Sequence, residues 1–286
     1  MQAMKLTAHE VKLIWGSESW LLSARENAES TLNGKGLGEL YAKQPELFGI
    51  KRAGRADFPL LVKFIDARDD LSIQVHPRDE DSHVLASGEA GKTECWYILE
   101  AQPGAKLHLG FREEITREQF RQAIADGTLM QHVQAFDVKA GDFFYIPAGT
   151  LHAIGRGVYL AEVQQNSNTT YRVFDYNRLQ NGAPRPLHVA QAMAVTDLVP
   201  YKQPQPTGAL LVQNEFFTVA RLGGPGGFSG LAGNDSFVSL VFIAGTGELS
   251  CCGETIAVKK GDSLFIPAGA GEYQVVGNCA ALATSL

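Results

Sequence analysis

Cysteine is scarce in this sequence and wrongly spaced for a metal knuckle. Four of the 286 residues are Cys, and no two form a Cys-x-x-Cys pair. Cys95 lies in an apolar run, Cys251 and Cys252 are adjacent, and Cys279 stands alone. That spacing argues against a zinc knuckle or a disulfide framework and for reduced thiols in a cytoplasmic protein. Long hydrophobic runs are missing as well. No apolar stretch reaches the length of a bilayer span, and Lys5, His9, Glu10 and Lys12 interrupt any signal-peptide core near the start. Positive charge is in the minority. Lys and Arg number 25 against 31 Asp and Glu, for a net charge of −6, and no large basic patch stands out. Nucleic acid is therefore not an expected partner. An anionic substrate would need a local site that overcomes this overall field.

What is present is ordinary globular composition, 45% hydrophobic and 20% charged, enough for one large domain or two small ones. Apolar positions recur mostly with period two. Residues 58–66, 71–76, 95–100, 143–147, 159–165, 171–176, 237–243 and 263–267 read as strands separated by Gly or Asp/Asn turns. This is the pattern of a β-sandwich or barrel rather than of alternating strands and helices. Helices are few. One is expected over 38–48 and another over 187–195. A third follows the capping box Thr116-Arg117-Glu118-Gln119, with Phe120 and Ile124 on one face and Gly127 as the stop. Pro200, Pro204 and Pro206 favour an extended linker. The expected division is a catalytic domain over 1–200, with helical insertions, and a smaller domain over 201–286.

The chain also repeats itself. Residues 139–149, which contain Gly141-Asp142 and Pro147-Ala148-Gly149, recur at a constant offset as 259–269, with Gly261-Asp262 and Pro267-Ala268-Gly269. Two copies of a turn–strand–turn unit imply two related β modules. The first copy runs on to His152, whereas the second carries Glu272 at the matching place. Only the first looks equipped for metal.

In 71–76, Ser72, Gln74 and His76 share one strand face, and Leu71, Ile73 and Val75 share the other. Glu94 opens the next apolar strand, and His152 follows the Pro147 stop. Two imidazoles, a carboxylate and an amide oxygen suit Zn²⁺ or a neighbouring first-row ion. Such a set leaves a divalent site with net charge near +1, favourable to an anionic intermediate. Spacing alone does not bring Glu94 and His152 to His76; they converge only in a barrel. His9, His83, His108, His132 and His188 read as structural or solvated.

The blocks 71–77, 91–97 and 147–154 resemble the signature segments of the type I mannose-6-phosphate isomerases. Gln164-Gln165-Asn166-Ser167-Asn168-Thr169-Thr170-Tyr171-Arg172-Val173 and Arg185-Pro186-Leu187-His188 continue the likeness. The form it resembles is the short bacterial one, a double cupin. The resemblance implies one zinc ion per chain at Gln74, His76, Glu94 and His152. It also implies interconversion of mannose 6-phosphate and fructose 6-phosphate through an enediol. The family's active-site arginine falls on Arg172, its pocket lysine on Lys92 and a pocket acid on Glu162. Two departures stand out. Asn168 replaces a usual Asp, and Trp15-Gly16 runs almost directly into Ser17-Glu18-Ser19-Trp20, where relatives commonly carry a loop.

Each pocket residue has more than one reading. Arg172 suits phosphate or an enediolate and cannot be a base; it could equally pair with Asp175 or Glu162. Glu162 is the candidate for proton transfer, or else a carboxylate that holds a ligand histidine. Lys92 could bind phosphate, relay a proton or sit solvated in a loop. The catalytic base is left unassigned. A dioxygenase cupin would ordinarily show a tighter His-x-His motif than Gln74-x-His76. A non-catalytic or altered-specificity sugar-phosphate binder is the other alternative, motivated by Asn168.

Overall fold

The computed structural model describes residues 2–52, 55–81 and 89–286; the expectation for His83 falls outside them. The chain is mainly β, with few and short helices. It packs as two compact units. One comprises Val11–Glu18 and Phe64–Pro204; the other comprises Met1–Glu10, Ser19–Lys63 and Gln205–Leu286. The sequence reading kept 1–200 together, whereas in the structure 1–10 and 19–63 pack with 205–286. Nothing in the composition of those N-terminal segments signals that choice.

The strands of the first unit lie in two sheets. The five-stranded sheet runs in the order Val133–Asp137, Lys106–Phe111, His152–Ile154, Ile73–Val75 and Tyr171–Phe174. The six-stranded sheet has the order Phe143–Ile146, Glu94–Ala101, Val158–Gln165, Leu60–Ala67, Gly16–Leu22 and His9–Leu13. One apolar cluster draws on both sheets, with Trp96, Ile98, Phe144 and Ile146 against Leu107, Leu109 and Ile154. The outer face of the five-stranded sheet is covered by helices. Ile73, Val75, Ala153, Tyr171 and Val173 pack there with Phe120, Ala123, Leu129, Ala192 and Val195.

Strand alternation then decides the site. With Ile73 and Val75 committed to the helices, Gln74 turns to the inner side. Register extends the row: His152 lies opposite Leu109 and Gln74, and Gln74 lies opposite Arg172. On the facing sheet Glu94 lies between Ile146 and Gln164, and Trp96 between Phe144 and Glu162.

The capping box is complete in the helix Arg117–Ala125, with Thr116 accepting from the Gln119 amide and the Gln119 side chain accepting from the Thr116 amide. The helix expected over 38–48 breaks into an α-helix, Leu37–Lys43, and a 3₁₀ turn, Pro45–Phe48. Pro45 cannot continue the hydrogen-bond ladder. The helix expected over 187–195 begins at Val189. At Gly16 the backbone has φ 151° and passes so close to Asp66 that a Cβ would stand 1.9 Å from its carbonyl oxygen. Ile14-Trp15 is thus a tight turn that enters the next strand at Gly16, where only glycine fits.

The second unit is built on a ten-stranded sheet with Gly271–Ser285 and Val238–Cys251 at its centre. The sequence echo is a structural one. The Asp142 carboxylate accepts from the Lys139 amide at 2.9 Å, and Asp262 accepts from Lys259 at the same distance. Gly141 and Gly261 both have positive φ, 93° and 94°, and donate to Ile98 and Phe242 respectively. The copies differ in what they present. Opposite Ile266, where the first copy pairs Ile146 with Glu94, stands Val238. Leu240 and Ala283 take the places of Trp96 and Glu162. Val238, Leu240, Phe242, Leu264 and Ile266 join one apolar cluster.

Candidate metal centre

His76, Glu94 and His152 converge, with one ligand atom of each within 4.8 Å of the others, and all three are buried. Glu94 divides its two oxygens between the imidazoles. Its Oε2 is 3.6 Å from His76 Nε2, and its Oε1 is 3.5 Å from His152 Nε2. The rings lie with centroids 4.7 Å apart.

Backbone carbonyls set the state of both rings. His76 Nδ1 is 2.7 Å from the Thr169 carbonyl oxygen, and His152 Nδ1 is 2.9 Å from that of Thr150. A carbonyl only accepts, so each Nδ1 carries the proton and each Nε2 turns a lone pair inward. Burial, which outweighs the Thr150 carbonyl, lowers the His152 pKa to about 4 and keeps the ring neutral. Two imidazole nitrogens and a carboxylate form a donor set that fits a first-row divalent cation.

Gln74 stands at the edge of this set. Its amide nitrogen is 3.4 Å from His152 Nε2, while its oxygen accepts from Ser72 Oγ at 3.0 Å. A half-turn of the amide would present the oxygen to the cluster and let the NH₂ donate to the Ser72 hydroxyl, at the cost of its hydrogen bond to His152 Nε2.

Lys92 lies inside the site rather than in solvent. It is buried, ion-paired to Glu94, 3.2 Å from His76 Nε2 and 3.6 Å from Glu162 Oε1. Glu162 is buried as well, and its Oε2 accepts from Trp96 Nε1 at 2.9 Å. Trp96 meets the His152 ring edge-on.

Arg172 makes no ion pair among the described residues. The Asp175 carboxylate that could have taken it is held by Arg178 and Arg185. The Nε of Arg172 is buried without a hydrogen-bond partner. Burial and the like charge of Arg185 lower its pKa. A half-buried guanidinium with an unengaged Nε–H is suited to an anionic ligand.

Asn168 is exposed. The loop around it acts through its backbone. Gln164 Nε2 donates to the carbonyls of Gln165 and Ser167 at 2.7 and 2.9 Å, and Ser167 Oγ donates to Ala90 at 2.7 Å. This knot holds the Thr169 carbonyl that orients His76. Sequence reasoning missed Trp96, Thr150, Gln164 and Thr169 as working parts of the site. Trp96 reads as core, and carbonyl roles leave no mark on residue type. Of the other histidines, His188 accepts from the Arg172 amide at 3.3 Å.

Two family models match the chain. The phosphomannose isomerase type I catalytic domain covers residues 11–102, and the mannose-6-phosphate isomerase cupin domain covers 209–285. A mannose-6-phosphate isomerase of Streptococcus mutans serotype c is 37% identical, over 93% of this chain and 87% of its own length. The chain belongs to the mannose-6-phosphate isomerase family. The Bacillus subtilis mannose-6-phosphate isomerase ManA is also 37% identical, over 91% of this chain and 86% of its own. The crystal structure of a Bacillus subtilis mannose 6-phosphate isomerase superposes on the whole of both chains with a TM-score of 0.91 at 32% identity. A double cupin is thus the architecture of this family member, as its sequence blocks imply.

Proposed function

We propose that this chain interconverts mannose 6-phosphate and fructose 6-phosphate, with one zinc ion held by Gln74, His76, Glu94 and His152. The observation that carries the reading is the inward convergence of two Nε2 lone pairs and both Glu94 oxygens, beside an arginine without an ion-pair partner. A bound zinc ion would supply polarisation of the sugar carbonyl and stabilisation of negative oxygen.

The isomerisation moves one proton between adjacent carbons and one between the two oxygens, through an enediol. We assign the carbon-bound proton to Glu162. Its Oε2 is engaged by Trp96, so Oε1 takes the proton and returns it. Lys92 sets a positive charge next to that oxygen and binds the substrate's oxygens. Arg172 holds an anionic group of the sugar phosphate with its fork of donors. Burial of Lys92, Glu94, Glu162 and His152 excludes water from these groups and strengthens each interaction.

The four cysteines are free thiols, and no helix of the described residues is long and apolar enough to cross a membrane. Both support a cytoplasmic enzyme of sugar-phosphate metabolism. The test is a coupled assay for fructose 6-phosphate formed from mannose 6-phosphate, with and without chelator, alongside metal analysis. Turnover that chelation abolishes and zinc restores is the expected result. Folded, zinc-loaded protein without turnover would shift the reading to a sugar-phosphate binder.

A further inference from the structure

Cys251 and Cys252 play no part in the reaction proposed above, and the fold gives them a geometry of their own. The strand Val238–Cys251 turns into Glu254–Lys259 through Cys252 and Gly253 alone, with Cys251 paired to Glu254. Both turn residues have positive φ, 54° at Cys252 and 81° at Gly253, as in the two-residue turn that matches strand twist. The peptide between the two thiols is therefore pinned by the hairpin. Cys251 is buried and Cys252 is exposed. Their sulfurs lie 3.4 Å apart, and the Cys252 thiol also donates to the Ala270 carbonyl at 3.2 Å. An open cleft of ≈ 690 Å³ borders the pair, lined also by Ser229, Ser250, Glu272 and Tyr273.

We propose that Cys251 and Cys252 form a chelating dithiol site for a soft, thiophilic ion of the class of trivalent arsenic. The competing fate is a disulfide between neighbours. That needs the sulfurs at about 2.05 Å, and the pinned turn peptide resists the closure. A bridging ion asks for much less movement: two bonds of about 2.3 Å, the thiolate–metal length, at a pyramidal centre such as trivalent arsenic set the sulfurs roughly 3.4 Å apart, close to where they lie. Thiolates prefer soft ions, and the second bond forms within the molecule at high effective concentration. With phenylarsine oxide as the probe, two S–H bonds break and two As–S bonds form. The arsenic oxygen leaves as water with both protons, and arsenic stays trivalent, so no oxidant is consumed.

The experiment treats the full-length chain with one equivalent of phenylarsine oxide, then with excess mercaptoethanol, which strips adducts held by a single thiol. Intact mass and peptide mapping read the result. One resistant adduct at residues 251–252, with one water lost, is expected, and Cys252→Ser should retain at least tenfold less of it. Cys251→Ser should do the same; because Cys251 is buried and its loss could unfold the chain, the exposed Cys252 carries the decisive arm. Cys95→Ser should keep the adduct, and Cys252→Ser should keep its turnover of mannose 6-phosphate. An adduct that persists in Cys252→Ser would overturn the site. So would the absence of any resistant adduct, or a 251–252 disulfide that survives mercaptoethanol.

Discussion

The indole N–H of Trp96 donates to Glu162 Oε2 across 2.9 Å, between paired strands and with both side chains buried. A buried carboxylate that loses a donor bears the cost of its own desolvation, about 1–3 kcal/mol. Trp96→Phe keeps the apolar filling and removes the donor. It should lower stability to denaturant by roughly 2 kcal/mol and reduce kcat more than it raises KM. Unchanged kcat would show that Glu162 needs no such anchor.

Glu94 serves both imidazoles at once. Glu94→Gln preserves its shape and removes its charge, so zinc content after dialysis should fall from stoichiometric to a small fraction, with the far-UV spectrum retained. Full zinc retention, measured by elemental analysis, would remove Glu94 from the ligand set.

Arg172 is assigned to an anion rather than to a structural ion pair. Arg172→Ala should leave zinc content intact and lower kcat/KM by at least a hundredfold. Arg172→Lys should restore little of it, because a point charge cannot reproduce the planar fork. Near-normal turnover in either variant would contradict that role.

Asp175 governs a pH dependence. Burial alone would raise its pKa, but hydrogen bonds from Arg185 and Arg178 overcome this and hold it below the ordinary aspartate value. A carboxylate with a depressed folded-state pKa contributes stability above its unfolded pKa, near 4, and loses it as pH falls through the folded value. Asp175→Asn should therefore cost roughly 2 kcal/mol at pH 7, and the gap from wild type should close towards pH 3. Urea midpoints at the two pH values provide the check; a gap of constant size would rule out the ion pairs as its source.

Much of the site can be read along single strands. Alternation alone puts Gln74 and His76 on one face and Glu162 with Gln164 on another. It cannot show that those faces meet, because that depends on how two sheets close over each other. Arg172 illustrates a second limit. Its nearest acidic neighbour in sequence, Asp175, invites a salt bridge, yet Arg178 and Arg185 occupy that carboxylate. Competition among three arginines is settled by strand and loop geometry and not by proximity in sequence. The fold was legible where period two was clean and where Thr116 and Gln119 announced a helix. The division of the chain was not, since residues 1–10 and 19–63 carry no mark of the module they join.

Val238, Leu240 and Ala283 occupy the positions that Glu94, Trp96 and Glu162 hold in the other copy. The same turn–strand–turn scaffold thus packs on hydrocarbon at these three positions. Its shape does not require the charged ring, and taking charges out of water works against folding. Filling that ring with aliphatic side chains of matching volume, at Lys92, Glu94 and Glu162 together, should give an inert protein that melts higher than the working one.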